Sequence, residues 1–273
     1  MSWNEIYKHI LKDVLNSHYE FNERTKTGTY RKFNVTFELY NVNYLPALTL
    51  RKLYFVSAAA ELTWTLQGTH NTRWLKKYTK IWELFEDKPN HIETAYGVRW
   101  RTLFKRDQIK ELIELLKKDK SSRQGVVLSW NPETDGLLNQ GKYKNVPCPY
   151  SFVCNIMNNK LNMIVYQRSA DLILGLPYDV MMYSLLNMSL AKELNILPGS
   201  IAFSIADCHI YENLKEVANN MLKHYKEDFK IPFNSPTTQW ITENPDKYIE
   251  LIRIYEIENY KPNEYNPRLT PVQ

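Results

Sequence analysis

The chain has 273 residues, of which 44% are hydrophobic and 24% charged, a usage that excludes a disordered polypeptide and leaves room for a substantial buried core. Its formal charge of +5 is mild and spread along the sequence, which argues against nucleic acid as a partner and leaves small anionic substrates open. No apolar run approaches a membrane span, Met1-Ser2-Trp3-Asn4-Glu5 shows no basic-then-apolar signal, and three cysteines are an odd number, so the expectation is a soluble, cytoplasmic protein with free thiols and no membrane association.

Trp3 to Asn16 places Ile6, Ile10, Val14 and Leu15 at helical spacing, which predicts an opening amphipathic helix. Asn22 to Thr29 is polar and reads as an exposed loop. Phe33, Val35, Phe37 and Leu39 alternate with polar residues and predict a strand with one buried face. Leu50 to Gln67 reads as a mostly apolar helix carrying one acid, Glu61, and ending at Gly68. Asp107 is a plausible cap for a helix to Lys118. Gly125–Trp130, Ser151–Met157, Leu161–Gln167 and Ile201–Ile205 read as strands, Pro177 opens a helix to about Leu194, and the tail from Tyr260 to Gln273 is irregular. Strands and helices are interspersed without strict alternation and without a linker, which predicts a single mixed α+β domain over residues 1–273.

The chemistry centres on Cys148, held between Pro147 and Pro149 at the edge of a strand, with Arg168 arriving one hairpin later. A thiol on a restrained turn facing a guanidinium suggests a nucleophile and an anionic substrate. The bland alternative is an inert core cysteine. A zinc site is weighed on His91-Ile92-Glu93 and Pro147-Cys148, but position 151 is Ser and the third ligand is missing, so no metal is expected. Asp179 in the first turn of a helix suits the helix dipole without any function, and Asp171 reads equally as a loop acid. His209 and Tyr211 alternate on one strand face, either packing or pointing together at a ligand hydroxyl.

In sequence order, Pro147-Cys148, Gln167-Arg168-Ser169-Ala170-Asp171, Gly175-Leu176-Pro177-Tyr178-Asp179 and Asp207-Cys208-His209-Ile210-Tyr211 resemble the thymidylate synthase superfamily. The resemblance extends through Glu61 to Gly68, through Tyr96-Gly97-Val98-Arg99-Trp100-Arg101 and into the tail. It implies a mixed sheet packed with helices, a homodimer joined through a sheet face, and a C5 one-carbon transferase that acts on a pyrimidine deoxynucleoside monophosphate with 5,10-methylenetetrahydrofolate as cosubstrate. By the same resemblance Cys148 adds to C6 of the base, Glu61 is the general acid/base, and Tyr96 stands near the C5 proton. Arg24, Arg168 and Ser169 bind phosphate, with Arg123 reaching the partner's phosphate site. His209 and Tyr211 hold the sugar 3′-hydroxyl, and Asp171 and Trp82 contact folate.

Two departures from the family pattern concern phosphate: Lys26 replaces a glycine of the Arg24 loop, and Gln124 replaces the second of two successive arginines, which removes a charge-assisted contact. Two concern the base. Asp179 stands where thymidylate synthases have asparagine, and Pro149 where they have histidine after the nucleophile. A carboxyl group suits the N4 amino donor of cytosine better than O4 of uracil, and both departures resemble the phage deoxycytidylate hydroxymethylases. The expectation is therefore dCMP converted to 5-hydroxymethyl-dCMP in a phage-infected host's cytoplasm. The rivals are dCMP methylation, thymidylate synthesis from dUMP, and an inactive nucleotide- or RNA-binding relative.

Overall fold

A computed structural model describes the chain except residues 24, 41, 227–229, 262–264, 268, 270 and 273. In order, the elements are α1 (Trp3–Leu15), β1 (His18–Asn22), β2 (Thr27–Leu39), β3 (Tyr44–Leu45), α2 (Phe55–Gln67), the short α3 (Tyr96–Val98), α4 (Gln108–Lys118), β4 (Gly125–Leu128), β5 (Pro149–Met157), β6 (Lys160–Gln167), β7 (Ala170–Asp171), α5 (Leu176–Glu193), β8 (Leu197–Tyr211), α6 (Lys215–Lys223), β9 (Ile231–Pro232), α7 (Thr238–Glu243) and α8 (Pro245–Asn259). The fold is α+β, as the interspersed pattern predicts. A seven-stranded mixed sheet runs β1-β2-β8-β6-β5-β4, with β7 beside β8. β8 runs parallel to both β6 and β7, and the other pairings of the sheet are antiparallel.

The sheet is covered by helices that are apolar nearly all round. In α5, fourteen residues named from Leu176 to Ala191 are buried, and α2 buries Phe55, Leu62, Trp64 and Leu66, which is the pattern of helices enclosed by other elements. Gly68 ends α2 in the left-handed region at φ 66°, where a side chain would be strained. Helix α2 begins later than the apolar run predicts. Residues 50–54 instead run non-helically, burying Leu50 and Leu53, and the first free N–H groups, on Phe55 and Val56, donate to Glu256 on α8 at 3.1 and 3.3 Å. A distant carboxylate thus caps the helix.

The predicted loop Asn22–Thr29 is largely a hairpin, because β1 reaches Asn22 and β2 starts at Thr27. The predicted one-faced strand also needs correction. Val35 and Leu39 are buried, but Phe33 is 83% exposed. Asn34 adopts φ 57° between the Phe33–Asp207 and Val35–Ile205 pairs. The partner strand changes phase at the same level: Ile205 is buried, Ala206 exposed, and beyond it Cys208 and Ile210 are the buried positions. An irregularity crossing both strands swaps their faces, as a β-bulge does. It turns Asp207, His209 and Tyr211 away from the face that buries Cys208 and Ile210.

A second device fixes the segment before Cys148. Arg99, just after α3, makes a two-pronged ion pair with Asp135 at 2.5 and 2.9 Å and also donates to Ser129 O at 2.8 Å. Both side chains are almost wholly buried. Asp135 accepts from Asn131 N in turn, so the pair anchors the loop that follows β4. Asp135→Ala would leave Arg99 buried without its counter-ion and should cost about 3–5 kcal/mol, measured by urea unfolding; a loss below about 1 kcal/mol, the level of an exposed pair, would contradict this role.

Candidate active site

Cys148 lies at the mouth of β5, and the thiol is partly exposed while Cys154 and Cys208 are buried. Burial pushes the Cys208 thiol up to about 12 and Cys154 higher still, so both behave as inert core residues. Arg168 follows β6. Its Nε donates to Pro147 O and its Nη2 to Val146 O, each at 2.9 Å, and Nη2 also stands 3.4 Å from Cys148 Sγ. Backbone closes the clasp, with Arg168 N donating to Cys148 O at 2.9 Å. Ser169 Oγ lies 3.6 Å from the sulfur, and Cys148 N donates to the Tyr96 hydroxyl at 2.8 Å. Tyr96 reaches this point because Gly97 lets its turn press on α2: a Cβ at Gly97 would meet Thr65 O at 2.3 Å.

Two carboxyl groups share the cavity with the thiol. Burial pushes Glu61 up to about 7, and the Trp82 indole opposes part of that, although Trp82 Nε1 is buried with no hydrogen-bond partner of regular geometry among the described residues. Burial, then the neighbouring Glu61, pushes Asp179 up to about 8, against a hydrogen bond from Gln167. That bond runs from Gln167 Nε2 to Asp179 Oδ2 at 2.7 Å. The dipole account of Asp179 is therefore insufficient, since its carboxyl group reaches β6. A neutral carboxyl offers one donor and one acceptor side by side.

One cavity of about 1470 Å³ is lined by Glu61, Trp82, Tyr96, Cys148, Arg168, Ser169, Asp171, Asp179, His209 and Tyr211. Asp171 Oδ1 accepts from Ile173 N and Leu174 N, both at 2.9 Å, so it shapes its own loop as well as facing the cavity. Arg123 is exposed and does not line the cavity of its own chain. Arg24 lies outside the described residues. His91 and Glu93, weighed for zinc, pair with each other at 3.0 Å, and among the described residues no group of three His, Cys, Asp or Glu side chains could hold a metal ion.

The cavity also contains residues to which the sequence reading assigns no role: Arg31, Arg51 and Asp207. Arg51 is 2% exposed and bonded to the carbonyls of Lys52 and Ile173. A charged residue placed among Leu50 and Leu53 is the signal that marks it, since buried arginines require partners. Gln167 was visible in its motif, but its pairing with Asp179 joins two elements and leaves no mark in the spacing.

The raised Glu61 predicts a pH effect of definite sign. The folded state holds the proton up to about pH 7, while an ordinary glutamate releases it near 4.5. Through that window the folded form binds more protons than the unfolded chain, so stability falls as pH rises, by roughly 3 kcal/mol from this group. Glu61→Gln should flatten this loss, gaining stability relative to the parent at pH 8 compared with pH 5 in urea titrations. Parallel pH profiles for the two proteins would contradict the shift.

The sequence profile named Thymidylate synthase matches residues 5–268. The chain is similar to the thymidylate synthase of Corynebacterium aurimucosum, 32% identical over 231 residues that cover 81% of this chain and 84% of that protein. It is likewise similar to the thymidylate synthase of Francisella tularensis subsp. holarctica, 31% identical over 265 residues covering 93% and 94%. A match over nearly the whole length, joined to a cavity that brings Cys148, Arg168, Glu61 and Asp179 together, places the chain in the thymidylate synthase family.

Proposed function

We propose that the cavity takes dCMP and that the enzyme, with methylenetetrahydrofolate and water, forms 5-hydroxymethyl-dCMP and tetrahydrofolate. The coarser part follows from family membership: a folate-dependent C5 one-carbon transferase of nucleotide biosynthesis. The observation that carries the finer part is the buried Asp179 carboxyl, held by Gln167 inside the cavity that contains Cys148. An N4 amino group rewards a carboxyl oxygen whether the acid is ionised or neutral. Uracil O4, an acceptor, is rewarded only when the proton sits on the oxygen that faces it.

The residues fit the folate as well as the nucleotide. At about 1470 Å³ the cavity exceeds the usual size of a single-ligand site. One part of its wall is apolar and aromatic, from Ile81, Trp82, Leu84 and Phe85, the surface a flat folate ring would pack on. When bound, the folate supplies the one-carbon unit. Cys148, with the Arg168 cation 3.4 Å away, adds its sulfur to C6, which moves electron density to C5 for bond formation with that carbon. Tyr96, neutral because burial raises its pKa far above the ordinary value, accepts from the Cys148 amide at 2.8 Å and takes the role of the group near the C5 proton. Glu61, poised near neutrality, exchanges protons with the base through water. Loss of the C5 proton with departure of tetrahydrofolate leaves an exocyclic methylene, water adds to that carbon, and release of Cys148 from C6 restores the ring. Ser169 and Arg168 serve the phosphate, with Arg24 and a partner subunit's copy of Arg123 completing the anion site across a sheet-face dimer.

A second reading, thymidylate synthesis from dUMP, is favoured by two observations. The relatives carry that name, and Pro267, Leu269, Pro271 and Val272 of the tail line the cavity, where closure would exclude water and favour a methyl product. Product analysis separates the readings. With dCMP and methylenetetrahydrofolate the nucleotide should gain CH2O and leave tetrahydrofolate; a gain of CH2 with dihydrofolate, or turnover confined to dUMP, would overturn the proposal. Asp179→Asn should move the ratio of kcat/KM values for dCMP and dUMP towards dUMP by about a hundredfold or more, and an unchanged ratio would remove Asp179 from base recognition.

A further inference from the structure

Near Arg168, with which Arg31 and Asp207 share a second, shallower pocket, lies a chain of charged groups of which only His209 has a role by family resemblance. Arg31 on β2 faces His209 across the β2–β8 ladder. Its Nη2 donates to Asp207 Oδ2 and its Nη1 to Glu20 Oε2 on β1. Asp207 Oδ1 in turn contacts His209 Nδ1 at 3.1 Å. Arg31, Asp207 and His209 all line the cavity, and the edge of the His209 ring meets Tyr211 with ring centres 5.0 Å apart. The face reversal at Asn34 and Ala206 is what puts this set on the cavity side.

The chemistry of the chain is directional. Burial favours a neutral Asp207, but its contacts with His209 and Arg31 outweigh burial and hold the carboxyl below its ordinary range. An ionised carboxylate only accepts, so His209 Nδ1 must be the donor, and Nε2 is the ring nitrogen left to serve a ligand. Arg31 and Glu20 supply the outer support, tying the orientation of the ring to the β1–β2 hairpin.

We infer that Arg31 is a positioning residue for the nucleotide's sugar, acting through Asp207 to fix the tautomer and ring orientation of His209. The inference rests on the nucleotide reading above for its ligand, while the tautomer itself is a property of the ligand-free protein. Loss of the support leaves Asp207 freer to turn away and His209 free to sample both tautomers. The cost then falls on the 3′-hydroxyl and on no other part of the nucleotide.

The test compares dCMP with its 2′,3′-dideoxy analogue, with the dUMP pair in parallel, by titration calorimetry on the full chain. Arg31→Ala should weaken the 3′-hydroxylated nucleotide by about fivefold to tenfold, the worth of one hydrogen bond, and leave the dideoxy analogue nearly unchanged; Arg31→Lys should restore part of the difference. Nitrogen-15 spectra of the ligand-free protein should show His209 protonated at Nδ1 in the parent and a mixed tautomer in Arg31→Ala. Equal weakening of both nucleotides would assign Arg31 to the phosphate or to the fold and overturn the inference, as would an unchanged tautomer. If the parent binds none of the nucleotides, the functional reading fails while the spectra still judge the Arg31 relay.

Discussion

The site depends on the clasp between Arg168 and the turn that carries Cys148. One guanidinium satisfies the carbonyls of Val146 and Pro147 and still reaches the sulfur at 3.4 Å. The two prolines limit how that turn can bend, and the carbonyl of Cys148 accepts from Arg168 N. Thiol and cation are thereby set by main-chain geometry, with little rotamer freedom left to lose when an anionic ligand arrives. Around the clasp the middle of α2 brings Glu61, the first turn of α5 brings Asp179, and the anchored loop after β4 leads into the Cys148 turn. Each of these supports is itself a buried contact: Gly97 on Thr65, Gln167 on Asp179, Arg99 on Asp135.

Enclosure does more than hold geometry. Two carboxyl groups buried in one cavity resist ionisation, and Glu61 raises the pKa of Asp179 further, so both stand near neutrality, where a group can give or take a proton with little cost. Residues poised this way are expensive for folding and useful for chemistry. The two remaining cysteines make the contrast, since burial raises their thiols too but neither lines the cavity.

Much of this is legible in the sequence. Helical spacing finds α1, α4 and α5, the turn residues end α2 at Gly68, and the ordered motifs from Cys148 to Tyr211 identify the residues that the cavity gathers. What stays hidden has physical causes. The phase reversal on β2 and β8 depends on paired irregularities in two strands, and simple alternation therefore misplaces Phe33 and conceals Arg31 and Asp207. The late start of α2 depends on Glu256, some two hundred positions away. Gln167 acquires a role only when α5 packs against β6. Local pattern reports local preference, and these features arise from contacts between elements.

The central claim is that Cys148 attacks C6 of a cytosine nucleotide so that C5 can exchange its proton for a one-carbon unit. Release of tritium from C5-labelled dCMP, with methylenetetrahydrofolate present, measures that claim directly. The account predicts release by the parent enzyme and none above background by Cys148→Ala. Persistent release by Cys148→Ala, or release from labelled dUMP but never from dCMP, would contradict it.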